Sequence, residues 1–135
     1  MTDDDFVRLG DLERPRDLQK VEGVYPNARA CPFPYSDERP NASEIYSSKA
    51  EKKAVRLSQL WATQYVVDKE KVKKILHDLR DGTYDGNPDH ADKIAVVHDQ
   101  KTGRYLIMNG HHHATALLLY DGKGAHVVVH INVKR

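Results

Sequence analysis

Tyr105-Leu106-Ile107-Met108-Asn109-Gly110-His111-His112-His113-Ala114-Thr115-Ala116-Leu117-Leu118-Leu119-Tyr120 is the stretch that decides how this chain folds. With Arg104 before it, the run through Met108 is extended and apolar, the pattern of a buried strand. Asn109-Gly110 breaks that run, since both residues favour turns. Ala114 to Tyr120 then supplies strong helix formers without a breaker. A strand that turns through glycine straight into a helix predicts one unit of a layered α/β structure.

Working outward, Ile94-Ala95-Val96-Val97 reads as a second buried strand, and Asp99 to Gly103 as the hairpin turn that joins it to Arg104–Met108. Gly122 and Gly124 mark the next turn, and His126 to Val133 is a β-branched final strand. Upstream, Asp68 precedes a helix whose Val72, Ile75, Leu76 and Leu79 form one apolar stripe. Glu70 near its start and Lys73 and Lys74 later suit the helix dipole. Gly82 ends it, and Asp85-Gly86-Asn87-Pro88 reads as a loop. Before that helix, Val55-Arg56-Leu57 is a short half-buried strand, and Ser58 to Tyr65 a turn rich in polar groups. The order β-α-β-β-α-β predicts an α/β (α+β) fold, a small mixed sheet with helices packed on it.

Composition changes near residue 54. Five of the six prolines lie before it, which argues against regular helices and central strands there. Residues 1–42 are expected to form an irregular Pro-rich arm with one short helix near Leu12–Val21. The arm packs on the domain or folds against a protein partner. Asn41-Ala42-Ser43-Glu44 offers a cap for a helical stretch over Ser47–Ala54, rich in Lys and Glu, and residues 43–135 are read as the folded domain.

A net charge of +1 provides no global field for holding nucleic acid, so any such contact needs a local patch. Lys49, Lys52, Lys53, Arg56, Lys69, Lys71, Lys73 and Lys74 crowd one stretch and supply a candidate. One cysteine, Cys31, excludes an intramolecular disulfide and a Cys-rich zinc site. The acidic start, Met1-Thr2-Asp3-Asp4-Asp5, is unlike a signal peptide, and no apolar run is long enough for a membrane span. The expectation is a soluble cytoplasmic protein without a membrane partner.

The chemistry centres on Asn109-Gly110-His111-His112-His113. A helix start carries unpaired amides and a partial positive charge, which favour anions. Gly110 permits the sharp turn and close approach of a phosphate. Three histidines add donors that titrate near neutral pH. Adjacent helical residues point about 100° apart, so the three do not readily share one metal ion. A divalent metal would need a further ligand such as His98, Glu44 or Glu51.

The same residues resemble the ParB/sulfiredoxin superfamily. Tyr105 to Ala116 is similar to its box of a strand, Gly, then His, Cys or Glu, then His or Arg, then Arg, two residues and Ala. Val55 to Gln64 is similar to the leucine-spaced segment ending Ala-Thr-Gln in its His-type members. The resemblance covers roughly residues 54–133, and the intervening helix, the Pro88 loop and the final strand follow in family order. It implies phosphate contacts from Asn109, Gly110, His111, His112, His113 and Thr115, with Thr63 and Gln64 lining the same pocket. It also implies one of several activities: a nucleotide-dependent switch or small-molecule kinase using ATP, ADP or CTP, or a ParB-like nuclease, some of which are toxin domains or phage proteins. The chain departs from the family at His113, where Arg is usual, and has no cysteine at His111, which disfavours sulfiredoxin chemistry.

The expected function is therefore a nuclease or phosphotransfer enzyme acting on nucleic acid. His112 would be general acid or base, with His111 and His113 stabilising developing charge. A nucleotide-binding switch or kinase, and a non-catalytic adaptor binding a protein through the Pro-rich arm, stand beside it. The histidine box favours the enzyme, whereas the missing Arg favours the other two.

Overall fold

Gly110 does turn the chain from strand to helix, with φ 92° and ψ 25° at the junction. A computed structural model describes residues 25–37, 45–84, 94–122 and 124–134. In chain order these form β1 (Ala28–Ala30), β2 (Ile45–Arg56), a 3-10 turn (Leu57–Gln59), β3 (Leu60–Trp61), β4 (Val66–Asp68) and α1 (Lys69–Asp81). There follow β5 (Ala95–Asp99), β6 (Arg104–Asn109), α2 (His111–Asp121) and β7 (His126–Lys134). The result is the expected small α+β structure with a mixed sheet. The helix near Leu12–Val21, the cap at 41–44 and the Asp85–Pro88 loop lie outside the described residues.

The main sheet has the order β2-β7-β5-β6-β3. The β2–β7 and β5–β6 pairs are antiparallel, whereas β7–β5 and β6–β3 are parallel. Although β2 and β3 occupy opposite edges, only Leu57–Gln59 separates them. A flat sheet would hold its outer strands roughly 19 Å apart, and the span from Arg56 to Leu60 reaches at most roughly 14 Å. The sheet must therefore curl, bringing its two edges closer at that end than a flat sheet allows. The 3.3 Å contact between Lys53 Nζ on β2 and the Tyr105 hydroxyl on β6 records that curl.

One face of the sheet joins both helices in a single core. Val55, Val96, Ile107 and Val129 from the strands pack with Val72 and Leu76 of α1 and Ala114, Ala116 and Leu118 of α2. Full burial of each large aliphatic side chain contributes roughly 1.5–3 kcal/mol. The first helix forms as its sequence predicts. The Asp68 carboxylate accepts the Glu70 N–H at 2.8 Å, and Gly82 closes the helix at φ 74°.

Two expectations need correction. Ser47–Ala54 belongs to the twelve-residue strand β2, not to a helix. Its Lys and Glu content suits a solvated helix, but rung-by-rung pairing of residues 51–56 with β7 outweighs local propensity. Val55 faces the core between exposed Ala54 and Arg56, while Glu51 to Lys53 are exposed as well. Lysines on an edge strand also discourage pairing with other chains. The Ser58–Tyr65 turn likewise contains an ordered piece, β3, which pairs Leu60 with Tyr105 and Trp61 with Leu106.

Within the Pro-rich arm, the described stretch packs on the domain. Its β1 pairs antiparallel with β4, Tyr35 bridges to Ala62, and Phe33 is buried in the core. Cys31 is buried with it, and desolvation pushes its thiol up to about 12 despite hydrogen bonds involving Phe33 and Thr115. A thiol so rarely ionised is a packing group rather than a nucleophile. Among the described residues, no helix is long and apolar enough to cross a membrane.

Candidate functional site

The second helix starts at His111, so the three histidines form its first turn. Ala114 N–H makes the first α-helical bond, to the Gly110 carbonyl, at 2.9 Å. The three imidazoles then diverge into different surroundings.

His111 points inward and is 3% exposed. Its Nε2 accepts the backbone N–H of Thr63 at 3.0 Å. A backbone N–H can only donate, so Nε2 carries no proton and the ring is the neutral Nδ1–H form. The Thr63 hydroxyl donates to the Ile107 carbonyl, tying the same turn to β6. Thr115 donates its hydroxyl to the His111 carbonyl at 2.7 Å and is itself buried.

His112 repeats the arrangement one residue on. Its Nε2 accepts the Asp68 N–H at 3.0 Å, which makes it a neutral Nδ1–H ring as well. Since Asp68 caps α1, the start of α2 is stitched to the start of α1. Partial burial holds the His112 pKa below its ordinary value, and the Lys71 ammonium adds to this; Asp68 opposes it, and His113 lowers it further.

His113 is the third, partly buried ring, with Nδ1 3.4 Å from the Tyr84 hydroxyl. It borders an open cavity of ≈ 290 Å³ whose wall is made by Asn109, Gly110, His112 and His113 on one side and Lys71, Lys74 and Ile75 on the other. Lys71 and Lys74 lie one turn apart on α1, so both residues stand on the same helix face. Two cations opposite the positive end of a helix form a basin of positive potential. A larger cleft of ≈ 520 Å³ between β1 and β4 is lined by Tyr25 to Ala28 and Val66 to Asp68, with a carboxylate and no cation among those residues.

Of the residues expected at the site, the cavity gathers Asn109, Gly110, His112 and His113. It leaves His111, Thr63, Gln64 and Thr115 outside its lining. These four are placed by internal bonds, Gln64 donating its side-chain amide to the Val66 carbonyl at 2.7 Å. The cation pair Lys71 and Lys74 joins the site from a stretch noted only for its charge. Their spacing beside Ile75 is the signal that could have found them. The basic crowd itself is divided, with Lys52, Lys53 and Arg56 on β2 and Lys69, Lys71, Lys73 and Lys74 on α1. Trp61 is partly buried, with the Arg104 guanidinium 3.8 Å above its ring.

Glu51 and His98 are not assembled with the histidines into a metal site. Among the described residues, no group of three or more His, Cys, Asp or Glu is placed to hold a metal ion, and Glu44 lies outside them. The cavity wall instead carries two lysines and two imidazoles beside the start of α2. No protein-family model matches this chain, and no curated protein matches it.

Proposed function

We propose that this chain binds a phosphate ester in the cavity at the start of α2 and acts on it as a nuclease or phosphotransfer enzyme. The ester is the phosphodiester of nucleic acid or the phosphates of a nucleotide. One observation carries this proposal: Lys71 and Lys74 of α1 meet Gly110, which precedes α2, and His112 and His113 of α2 around a single open cavity. The ammonium groups and the helix end neutralise phosphate oxygens. His112 supplies an Nδ1–H donor, and His113 lines the cavity beside it as a second imidazole able to exchange a proton. The resemblance to ParB-like proteins supplies the nuclease expectation, together with a cytoplasmic, toxin or phage setting.

The engagement of Nε2 in both His111 and His112 favours a second reading, a nucleotide-binding switch that holds phosphate without cutting a strand. Incubation of the purified protein with single- and double-stranded DNA and RNA, alongside calorimetry with ATP, ADP and CTP, separates the two. Cleavage lost in His113→Ala supports the enzyme. Nucleotide binding without cleavage supports the switch. Neither cleavage nor binding of any of these ligands contradicts both.

A further inference from the structure

The ≈ 520 Å³ cleft between β1 and β4 has Asp68 in its lining. The Asp68 N–H donates to Nε2 of His112 at 3.0 Å, and its carboxylate accepts the Lys71 N–H at 3.4 Å. His112 and Lys71 both line the smaller, cationic cavity. The two spaces are thus one residue apart. Backbone contacts define the cleft. One wall is the turn from Tyr25 to Ala28, closed by the Ala28 N–H on the Tyr25 carbonyl at 3.1 Å. The Arg29 guanidinium donates to the Pro26 carbonyl at 2.7 Å, and the Lys69 N–H donates to the Asn27 carbonyl at 2.6 Å. Val66 and Val67 supply aliphatic lining from β4.

Charge divides the two spaces. Lysines line the cavity, whereas no cation lines the cleft, and the carboxylate there already accepts the Glu70 and Lys71 amides. The cleft therefore suits a neutral group. Tyr25 is 62% exposed, so its flat ring is largely uncovered, and Asn27 is exposed with an amide able both to donate and to accept. An aromatic face, aliphatic lining and a side-chain amide are the groups that hold a flat ring with a hydrogen-bonding edge. We infer that the β1–β4 cleft takes the nucleobase attached to the phosphate in the cavity, so that the ligand is an unpaired nucleotide. A base inside a duplex is stacked and paired, whereas a single strand or a free mononucleotide presents it for capture. The inference rests on the phosphate-binding function proposed above and names the class of ligand for it. Tyr25 and Asn27 belong to the Pro-rich arm, outside the stretch that resembles ParB-like proteins, so the ligand engages the arm as well as the domain.

Amide-shift mapping and calorimetry on the full chain test this. The probes are inorganic phosphate, the four nucleosides, their 5′-monophosphates, and a mixed-sequence oligonucleotide as single strand and as duplex. Nucleosides are expected to move the amides of Asn27, Ala28 and Val67, and inorganic phosphate those of Gly110, His112 and His113. At least one monophosphate should move both sets and bind about tenfold tighter than inorganic phosphate, the worth of stacking one base. The double variant Tyr25→Ala/Asn27→Ala, confined to exposed side chains, should remove that advantage and leave inorganic phosphate unchanged. A single strand that binds tighter than the monophosphate names nucleic acid as the source of the base, and equal affinities name the free nucleotide; both uphold the cleft. Three results overturn it while the phosphate seat stands: monophosphates no tighter than inorganic phosphate, a duplex as tight as the single strand, or a variant that keeps the advantage. Nucleoside shifts at the cleft without any response to phosphate contradict the phosphate-binding function instead, and no response to any probe contradicts both.

Discussion

His111 and Thr63, 48 positions apart in the chain, meet through a 3.0 Å hydrogen bond in which the imidazole Nε2 accepts a buried backbone N–H. This bond fixes the segment between β3 and β4 to the start of α2, and it consumes the nitrogen that a catalytic His111 would use. Replacing His111 with Ala leaves the Thr63 amide without its acceptor and opens a void in the core. The expected cost is about 2–4 kcal/mol. Urea denaturation reads it directly, and a loss under 1 kcal/mol would mean that the bond is not structural.

His112 makes stability depend on pH. Its folded pKa lies below the ordinary 6.5, so the unfolded chain binds the proton more readily. The contribution is complete above 6.5 and is lost as pH falls through that value toward the lower folded one. The added proton lands on Nε2, where it confronts the Asp68 N–H. Thermal unfolding between pH 5 and pH 7.5, compared with His112→Asn, should show a shallower slope in the variant. Parallel slopes would remove His112 as the titrating group.

Gly110 holds φ 92°, a conformation that side chains resist. Gly110→Ala is expected to cost about 1–2 kcal/mol. Phosphate affinity should fall as well, because Gly110 borders the cavity. A stability unchanged within error would show that the junction tolerates an ordinary residue.

Strand β2 predicts a contrast between neighbours. Val55 is 2% exposed and packs in the core, whereas Ala54 is exposed. Val55→Ala should cost about 2 kcal/mol, and Ala54→Lys should stay within about 0.5 kcal/mol of wild type. Equal effects at both positions would contradict the strand register.

The parts of the fold legible in sequence are those where local and tertiary signals agree. Asp68, the Val72–Leu79 stripe and Gly82 each mark α1 independently, and Asn109-Gly110 marks the turn into α2. Strand β2 was illegible because Lys- and Glu-rich residues carry helical propensity, while the force that makes them a strand is β7, more than seventy residues away. The site shows the same division. The histidine box announces itself, but which imidazole is structural depends on Thr63 and Asp68, and no local pattern encodes those contacts. Lys71 and Lys74 look like ordinary solvated residues until α1 is laid against Gly110.

The most direct measurement is calorimetric titration of inorganic phosphate and of a short oligonucleotide into wild type and the Lys71→Ala/Lys74→Ala double variant. The account predicts wild-type binding that weakens with salt, and a loss of at least about tenfold in the variant, the minimum expected when charge-assisted hydrogen bonds are removed. Binding of equal strength in both proteins, or no binding in wild type, would contradict a phosphate seat between α1 and the start of α2.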